Sequence, residues 1–197
     1  MSKKYELVVD DTITFWGWKL FRIRALISFG SVDAGDLGGY IYTEDNLSQK
    51  GDAWVSGNAK VWGNAKVWGN AEVWGDAEVW GDAEVSGNAK VWGDAEVSGN
   101  AKVWGDAKVW GDAKVWGDAE VSGNAKVSDF EDVIVFKNHW SSGRHFTYTK
   151  SNKMWRVGCF YGTGQELIDK AYRDSEKSGN FYKAYVEFIA SLEGLGE

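Results

Sequence analysis

Proline is absent from the 197 residues, cysteine occurs once (Cys159) and histidine twice (His139 and His145). A lone cysteine cannot close an internal disulfide, so a disulfide-stapled secreted scaffold is excluded. No apolar run reaches the roughly 18 residues of a membrane span. The first apolar stretch, Leu7-Val8-Val9, ends at Asp10-Asp11 and is too short for the core of a signal peptide. A cytosolic, reducing address is therefore expected, without membrane contact. Cationic residues are the scarcer charge, 22 against 29 acidic, for a net −7. That balance argues against a protein that reaches nucleic acid through electrostatics.

Glycine (25) and tryptophan (13) are abundant instead, and both are periodic. From Gly51 to Val127 the chain repeats Gly-(Asn/Asp)-Ala-x-Val-(Trp/Ser) every six residues without a slip. Such self-similarity decides the architecture. Ala and Val stand two apart and share one side of an extended strand, while x and the Trp/Ser face the other side. Gly followed by Asn or Asp is turn chemistry, because both tolerate positive φ. Each hexad thus makes one short strand and one corner. A helix is excluded, since a six-residue step puts successive valines on different sides of it.

The pattern resembles the hexapeptide-repeat family, in which an aliphatic residue is followed four positions later by a small one, as Val55 is by Ala59 and Val61 by Ala65. The resemblance implies a mainly β protein built on a left-handed parallel β-helix with three hexads per coil. The left hand comes from the family, because crossovers between parallel strands are ordinarily right-handed. Residues 18 apart then fall in columns. Three inner rows are expected: Val55-73-91-109-127, Val61-79-97-115 and Val67-85-103-121. Leu37 falls 18 residues before Val55, which extends the register backwards into a first, irregular coil with Ile41 and Leu47 at alanine positions. Three segments follow: an N-terminal β cap (1–34), the repeats (35–128) and a C-terminal α+β module (129–197).

Stacked coils leave an open edge at each end and need caps. In the first segment, residues 7–9, 12–15 and 20–24 read as strands, with Trp16-Gly17-Trp18 near a turn. In the last, residues 133–136 form a strand, and 145–149 pairs with 154–161 around a turn at 150–153. That register sets Tyr148 opposite Trp155, Phe146 opposite Val157 and Arg144 opposite Cys159. Thr163-Gly164-Gln165-Glu166 is a capping box that opens a helix to about 176. Ser178-Gly179-Asn180 then breaks the chain before a second helix with Phe181, Ala184, Tyr185, Phe188, Ile189 and Leu192 on its apolar face.

Catalytic signals are weak. The family's acyltransferases place a histidine on or between coils, but residues 51–128 contain neither a histidine nor an insertion. Its carbonic-anhydrase branch needs three zinc-binding histidines, and this chain has two. Cys159 and His145 invite a nucleophile–base pair, but the hairpin register sets them on opposite faces and makes Cys159 a buried strand residue. No catalytic residue, metal or cofactor is expected.

What remains is surface. The outward tryptophans form columns: Trp74, Trp92 and Trp110; Trp62, Trp80 and Trp116 with Ser98 interrupting; and Trp68 and Trp104 alternating with Ser86 and Ser122. Such columns read as a stiffening aromatic ladder or, given so much exposed indole, as an interface. The candidate binding residues are Trp62, Trp74, Trp80, Trp92, Trp110, Trp116, His139, Trp140, Arg144 and Arg156. An acidic corner column, Asn58, Asp76, Asp94 and Asp112, raises nucleic-acid mimicry, which seven lysines among the twelve acids of the repeats weaken.

The runs Phe21-Arg22-Ile23-Arg24-Ala25-Leu26, Gly35-Asp36-Leu37-Gly38-Gly39-Tyr40 and Glu44-Asp45-Asn46-Leu47-Ser48 make the whole chain similar to hexapeptide-repeat proteins of bacteriophages and prophages. That resemblance implies a phage-borne accessory protein in the bacterial cytoplasm. It would bind a host or phage protein without catalysis, and would inhibit a host defence, as anti-CRISPR proteins do, by occlusion. The alternatives are a self-assembling structural solenoid, a homo-oligomer built through the tryptophan columns, the acidic mimic and, last, an acyltransferase.

Overall fold

The computed structural model describes residues 3–195. Its center is a parallel β-solenoid of about five turns, the deepest column of strands having five levels. Thirteen two-residue strands, β4 (Trp54–Val55) to β16 (Lys126–Val127), recur at the six-residue spacing. β4 to β13 each pair in parallel with the strand three further along the chain, so Val55 meets Val73 and Val91 meets Val109. The second and third rows pair likewise, Val61 with Val79 and Val67 with Val85. The repeat valines and alanines are at most 1% exposed and form one continuous core. The corners need glycine twice over. Gly87 has φ +68°, and a Cβ there would lie 2.9 Å from the Gly105 nitrogen one turn on, so a side chain would be strained and would also collide.

The first turn departs from the 18-residue register. Tyr40 pairs with Lys60, Ile41 with Val61 and Leu47 with Val67, an offset of 20. Ile41 and Leu47 therefore sit under valines, not at alanine positions, and Leu37 is 55% exposed rather than in the valine row. The chain is tightly packed at this point. A Cβ on Gly39 would come 2.9 Å from the Val55 Cγ1, and one on Gly38 would come 2.4 Å from Ile23. The chain passes beneath Val55 without a side chain, and the buried Ile23 fills the space.

Ile23 belongs to a hairpin, β1 (Tyr5–Phe15) and β2 (Trp18–Ala25), which joins the solenoid sheet through β3 (Leu37–Ile41). The two expected strands 7–9 and 12–15 are one strand with an irregularity between Val8 and Thr12.

The two ends are capped with opposite chemistry. Between turns, connecting N–H groups donate to carbonyls one turn later, as Asn58 does to Gly75 and Trp74 does to Val91. The first edge is thus left with carbonyls and the last with N–H groups. At the first edge, Lys4 Nζ donates to the carbonyls of Ala53 (2.8 Å) and Gly51 (3.2 Å), and the Asn46 amide donates to those of Gly63 and Ala65. At the last edge, Thr147 Oγ1 accepts from the Glu120 N–H, Ser151 Oγ from Lys126 and the Asp132 carboxylate from Ser128. Buried backbone groups need such partners.

The C-terminal module is an antiparallel sheet of β17 (Val133–Lys137), β18 (His145–Thr149), β19 (Met154–Val157) and β20 (Phe160–Gly162), with helices α1 (Gly164–Asp174) and α2 (Glu176–Glu193). The expected pairs Tyr148–Trp155 and Phe146–Val157 are present. Those four residues form the module's core with Leu167 and Ile189. Arg144 does not pair with Cys159. The chain turns at Gly158-Cys159, with Gly158 at φ +57°, and Val157 pairs with Phe160. Cys159 is therefore exposed in a turn, not buried in a strand.

The capping box at Thr163 and Glu166 is in place. The break between helices falls at Ser175, whose side chain accepts from the Ser178 N–H. Residues 178–180 lie inside α2, because Gly179 is where Tyr172 packs: a Cβ there would be 2.1 Å from that ring. The buried face of α2 shifts accordingly. Ile189, Tyr182, Tyr185 and Val186 pack inward, while Phe188 is 55% exposed. No helix among the described residues is long and apolar enough to cross a membrane.

Candidate interaction surface

Eight of the nine repeat tryptophans, all but Trp54, follow a buried valine, so their side chains leave the strand on the outer side. The turn spacing then sets the rings in register. Trp74 and Trp92 stack at 4.9 Å between centroids and 2° between planes, and Trp92 and Trp110 at 5.2 Å and 10°. Stacked indoles turn their edges outward and cover their own faces, so this column is first of all a stiffening ladder. On the second face Trp62 stacks on Trp80 at 5.1 Å. Trp62 is only 6% exposed, however, because Phe15 of the N-terminal hairpin packs edge-on against it at 5.4 Å. Trp62 is therefore a cap contact and not a free binding residue.

Trp116 is 49% exposed. It borders a cleft of about 350 Å³ shared with Phe130, Val133 and Val135, where the solenoid meets the module. Phe130 is 63% exposed and Val135 is also exposed. This apolar patch joins a repeat tryptophan to module residues that carry no repeat pattern. The sequence reading missed its Phe130 and Val135 half.

The C-terminal candidates separate. Trp140 stacks on Phe181 of α2 at 4.3 Å, and Lys177 lies over its outer side at 5.5 Å. Its indole nitrogen is buried without a hydrogen-bond partner. His139 sits beside this pair, with Nδ1 3.2 Å from the Tyr185 hydroxyl. Arg144 is apart from them, exposed at the rim of a small groove with Cys159, Lys170 and Asp174. Arg156 reaches back to the solenoid. Its Nε donates to Glu120 at 3.0 Å and its guanidinium lies 5.0 Å from the Trp104 centroid. Arg156 is therefore a clamp between module and solenoid, not an open binding residue.

The polar columns are also internally matched. Lys60 pairs with Glu78, Lys90 with Glu72 and Lys114 with Glu96. Burial holds the Glu78 carboxyl above its ordinary range, against the pull of Lys60. At the corners, asparagine amides donate to the residue one turn later: Asn58 to Asp76, Asn64 to Asp82 and Asn100 to Asp118. These corner acids thus each accept a hydrogen bond from the turn before.

His145 Nδ1 lies 3.4 Å from Asp118, and no group of three or more His, Cys, Asp or Glu among the described residues is placed to hold a metal. Compared with known protein families and with curated proteins, the chain matches none of them.

Proposed function

We propose that this chain is a non-enzymatic binding protein: a stiff, left-handed solenoid of three hexads per coil that presents a preformed surface to another protein and acts by occluding it. The observation that carries this reading is the patch of Trp116, Phe130 and Val135, exposed apolar groups beside one another at the junction of the solenoid and the module. Solvent-exposed apolar clusters of this kind mark protein contacts. The outward half of the repeat and the irregular module meet there, so the patch combines a flat rod face with a shape that no other turn repeats.

The resemblance of residues 21–26, 35–40 and 44–48 to phage and prophage hexapeptide-repeat proteins supports a partner in the bacterial cytoplasm. A component of host defence suits an occluding protein that needs no cofactor. Self-assembly is the competing reading. Because both solenoid edges already have hydrogen-bond partners from the caps, an assembly would have to form through the faces.

Capture from bacterial lysate tests the proposal. Trp116→Ser with Phe130→Ser should release the captured protein while the circular dichroism spectrum stays unchanged. A partner held equally by that variant contradicts the proposal. Sedimentation of the wild type as a concentration-dependent oligomer, lost in the same variant, would favor self-assembly.

A further inference from the structure

The tryptophan columns have missing rungs where serine replaces tryptophan, and the chain fills two of them with its own cations. Ser98 stands one turn before Trp116. There Lys114 Nζ lies 4.9 Å from the Trp116 centroid and 3.3 Å from Glu96, the acid two residues before that serine. Ser122 stands one turn after Trp104. There the Arg156 guanidinium lies 5.0 Å from the Trp104 centroid, and its Nε is 3.0 Å from Glu120, again the acid two residues before the serine. Both gaps combine an indole face, a small residue and a carboxylate with a cation; where no rung is missing, Lys90 pairs with Glu72 and lies farther from its indole, 5.8 Å from the Trp74 centroid.

A third gap has the same parts, and among the described residues no cation pairs with its carboxylate. Ser86 is buried, with Trp68 one turn before it and Trp104 one turn after it. Both indoles border one cleft of about 290 Å³, with Ser86 and Glu84 on its wall and Lys102, Glu120 and Arg156 also lining it. Glu84 again stands two residues before the serine, and among the described residues it forms no ion pair. Rungs repeat at 4.9–5.2 Å, so two rungs separate the flanking indoles by roughly 10 Å, about twice the stacking distance of one planar group.

We propose that the Trp68–Ser86–Trp104 gap is a binding site for an arginine side chain of a partner protein. The guanidinium would lie between the two indoles and pair with Glu84. A guanidinium suits the gap better than an ammonium because it is planar, stacks on aromatic faces and matches a carboxylate in two-point geometry. Lys66 and Lys102 flank Glu84 in the neighboring turns. Both are exposed and form no ion pair among the described residues. Lys102 is the residue equivalent to Lys114; it and Arg156 line the same cleft and are the internal cations with which an arginine would compete. That the arginine belongs to a protein rests on the binding-protein reading; the site itself does not.

The test uses the full chain with ¹⁵N-labeled tryptophan and follows indole N–H signals during titration with N-acetyl-arginine amide. The signals of Trp68 and Trp104 should move together while those of Trp74 and Trp92 stay. N-acetyl-lysine amide should bind more weakly, and Glu84→Gln should weaken the arginine ligand about tenfold. Ser86→Trp, which completes the ladder, should abolish the response in a protein that melts no lower than wild type.

The proposal fails if no arginine response occurs, if one appears only in Lys102→Met, or if N-acetyl-tryptophan amide binds more tightly than the arginine ligand. An arginine response without lysate capture would leave the site standing and remove the partner reading. Capture without an arginine response would do the reverse.

Discussion

The solenoid and the C-terminal module solve the same problem in opposite ways. In the solenoid, one rule of six residues, applied thirteen times, places a valine inward and a glycine at the corner, with an indole outward in eight of the thirteen and a serine in the other five. In the module, each role is assigned once. Phe146 stacks on Phe136 at 4.9 Å, Tyr148 donates its hydroxyl to Glu193 at 2.7 Å, and Gly179 admits the Tyr172 ring. Repetition makes a stable rod whose turns are interchangeable and so cannot single out a partner. Distinct surface arises where the rule lapses or where the rod meets the module: the serine gaps, the offset first turn and the junction at Trp116 and Phe130.

Substitutions can break or sharpen that contrast. The largest effect should come from Val91→Asp, which puts a carboxylate into a fully buried row with no cation. A cost of at least about 4 kcal/mol is expected in urea unfolding. Val135→Asp in the module, at an exposed position, should cost less than about 1 kcal/mol. Comparable midpoints for the two variants would mean that the valine rows are not dry.

The next effect concerns the first edge. Lys4 is 2% exposed, and burial pulls its ammonium down to about 8, opposed only in part by Asp52. The folded chain releases this proton near pH 8 and the unfolded chain near 10.5. The unfolded state therefore holds more protons in between, and stability should rise with pH across that window. About 2 kcal/mol is expected between pH 7 and 10. Burial raises the Tyr5 phenol, so the trend should reverse once the unfolded tyrosine ionizes above about pH 10. Denaturant titrations at successive pH values check the rise, and Lys4→Met should flatten it. A flat wild-type profile would place Lys4 in water.

The smallest effect should appear at the other edge. Thr147→Val and Arg156→Met each remove one tie between module and last turn, and each should cost about 1 kcal/mol. A double-mutant cycle should show coupling through Glu120, which both residues contact. Strict additivity would separate the two ties.

The parts legible in the sequence are those that local rules decide. The valine rows, the glycine corners, the 146–157 and 148–155 pairs and the Thr163 capping box follow from period, alternation and caps. The illegible parts depend on contacts distant in sequence. Nothing local marks the 20-residue first turn, where Ile23 of another strand packs against Gly38. Trp62 carries the same motif as Trp74, yet Phe15 covers it. Ser178-Gly179-Asn180 has the composition of a break, yet Ser175 makes the cap and Tyr172 needs the glycine. Arg156 looked free because Glu120 lies 36 residues away. Among the candidate residues, the indole columns were readable because the turn spacing fixes them. Phe130 and Val135 were not, because only the docking of the module brings them beside Trp116.

The most direct measurement is the affinity of the captured partner for two variants that separate surface from stability. Trp116→Ser with Phe130→Ser alters only exposed apolar groups. Thr147→Val weakens the cap behind them. Calorimetric titration should show at least a tenfold loss of affinity for the first variant and near wild-type affinity for the second. Unchanged affinity in the first, or an equal loss in both, would contradict a preformed surface at this junction.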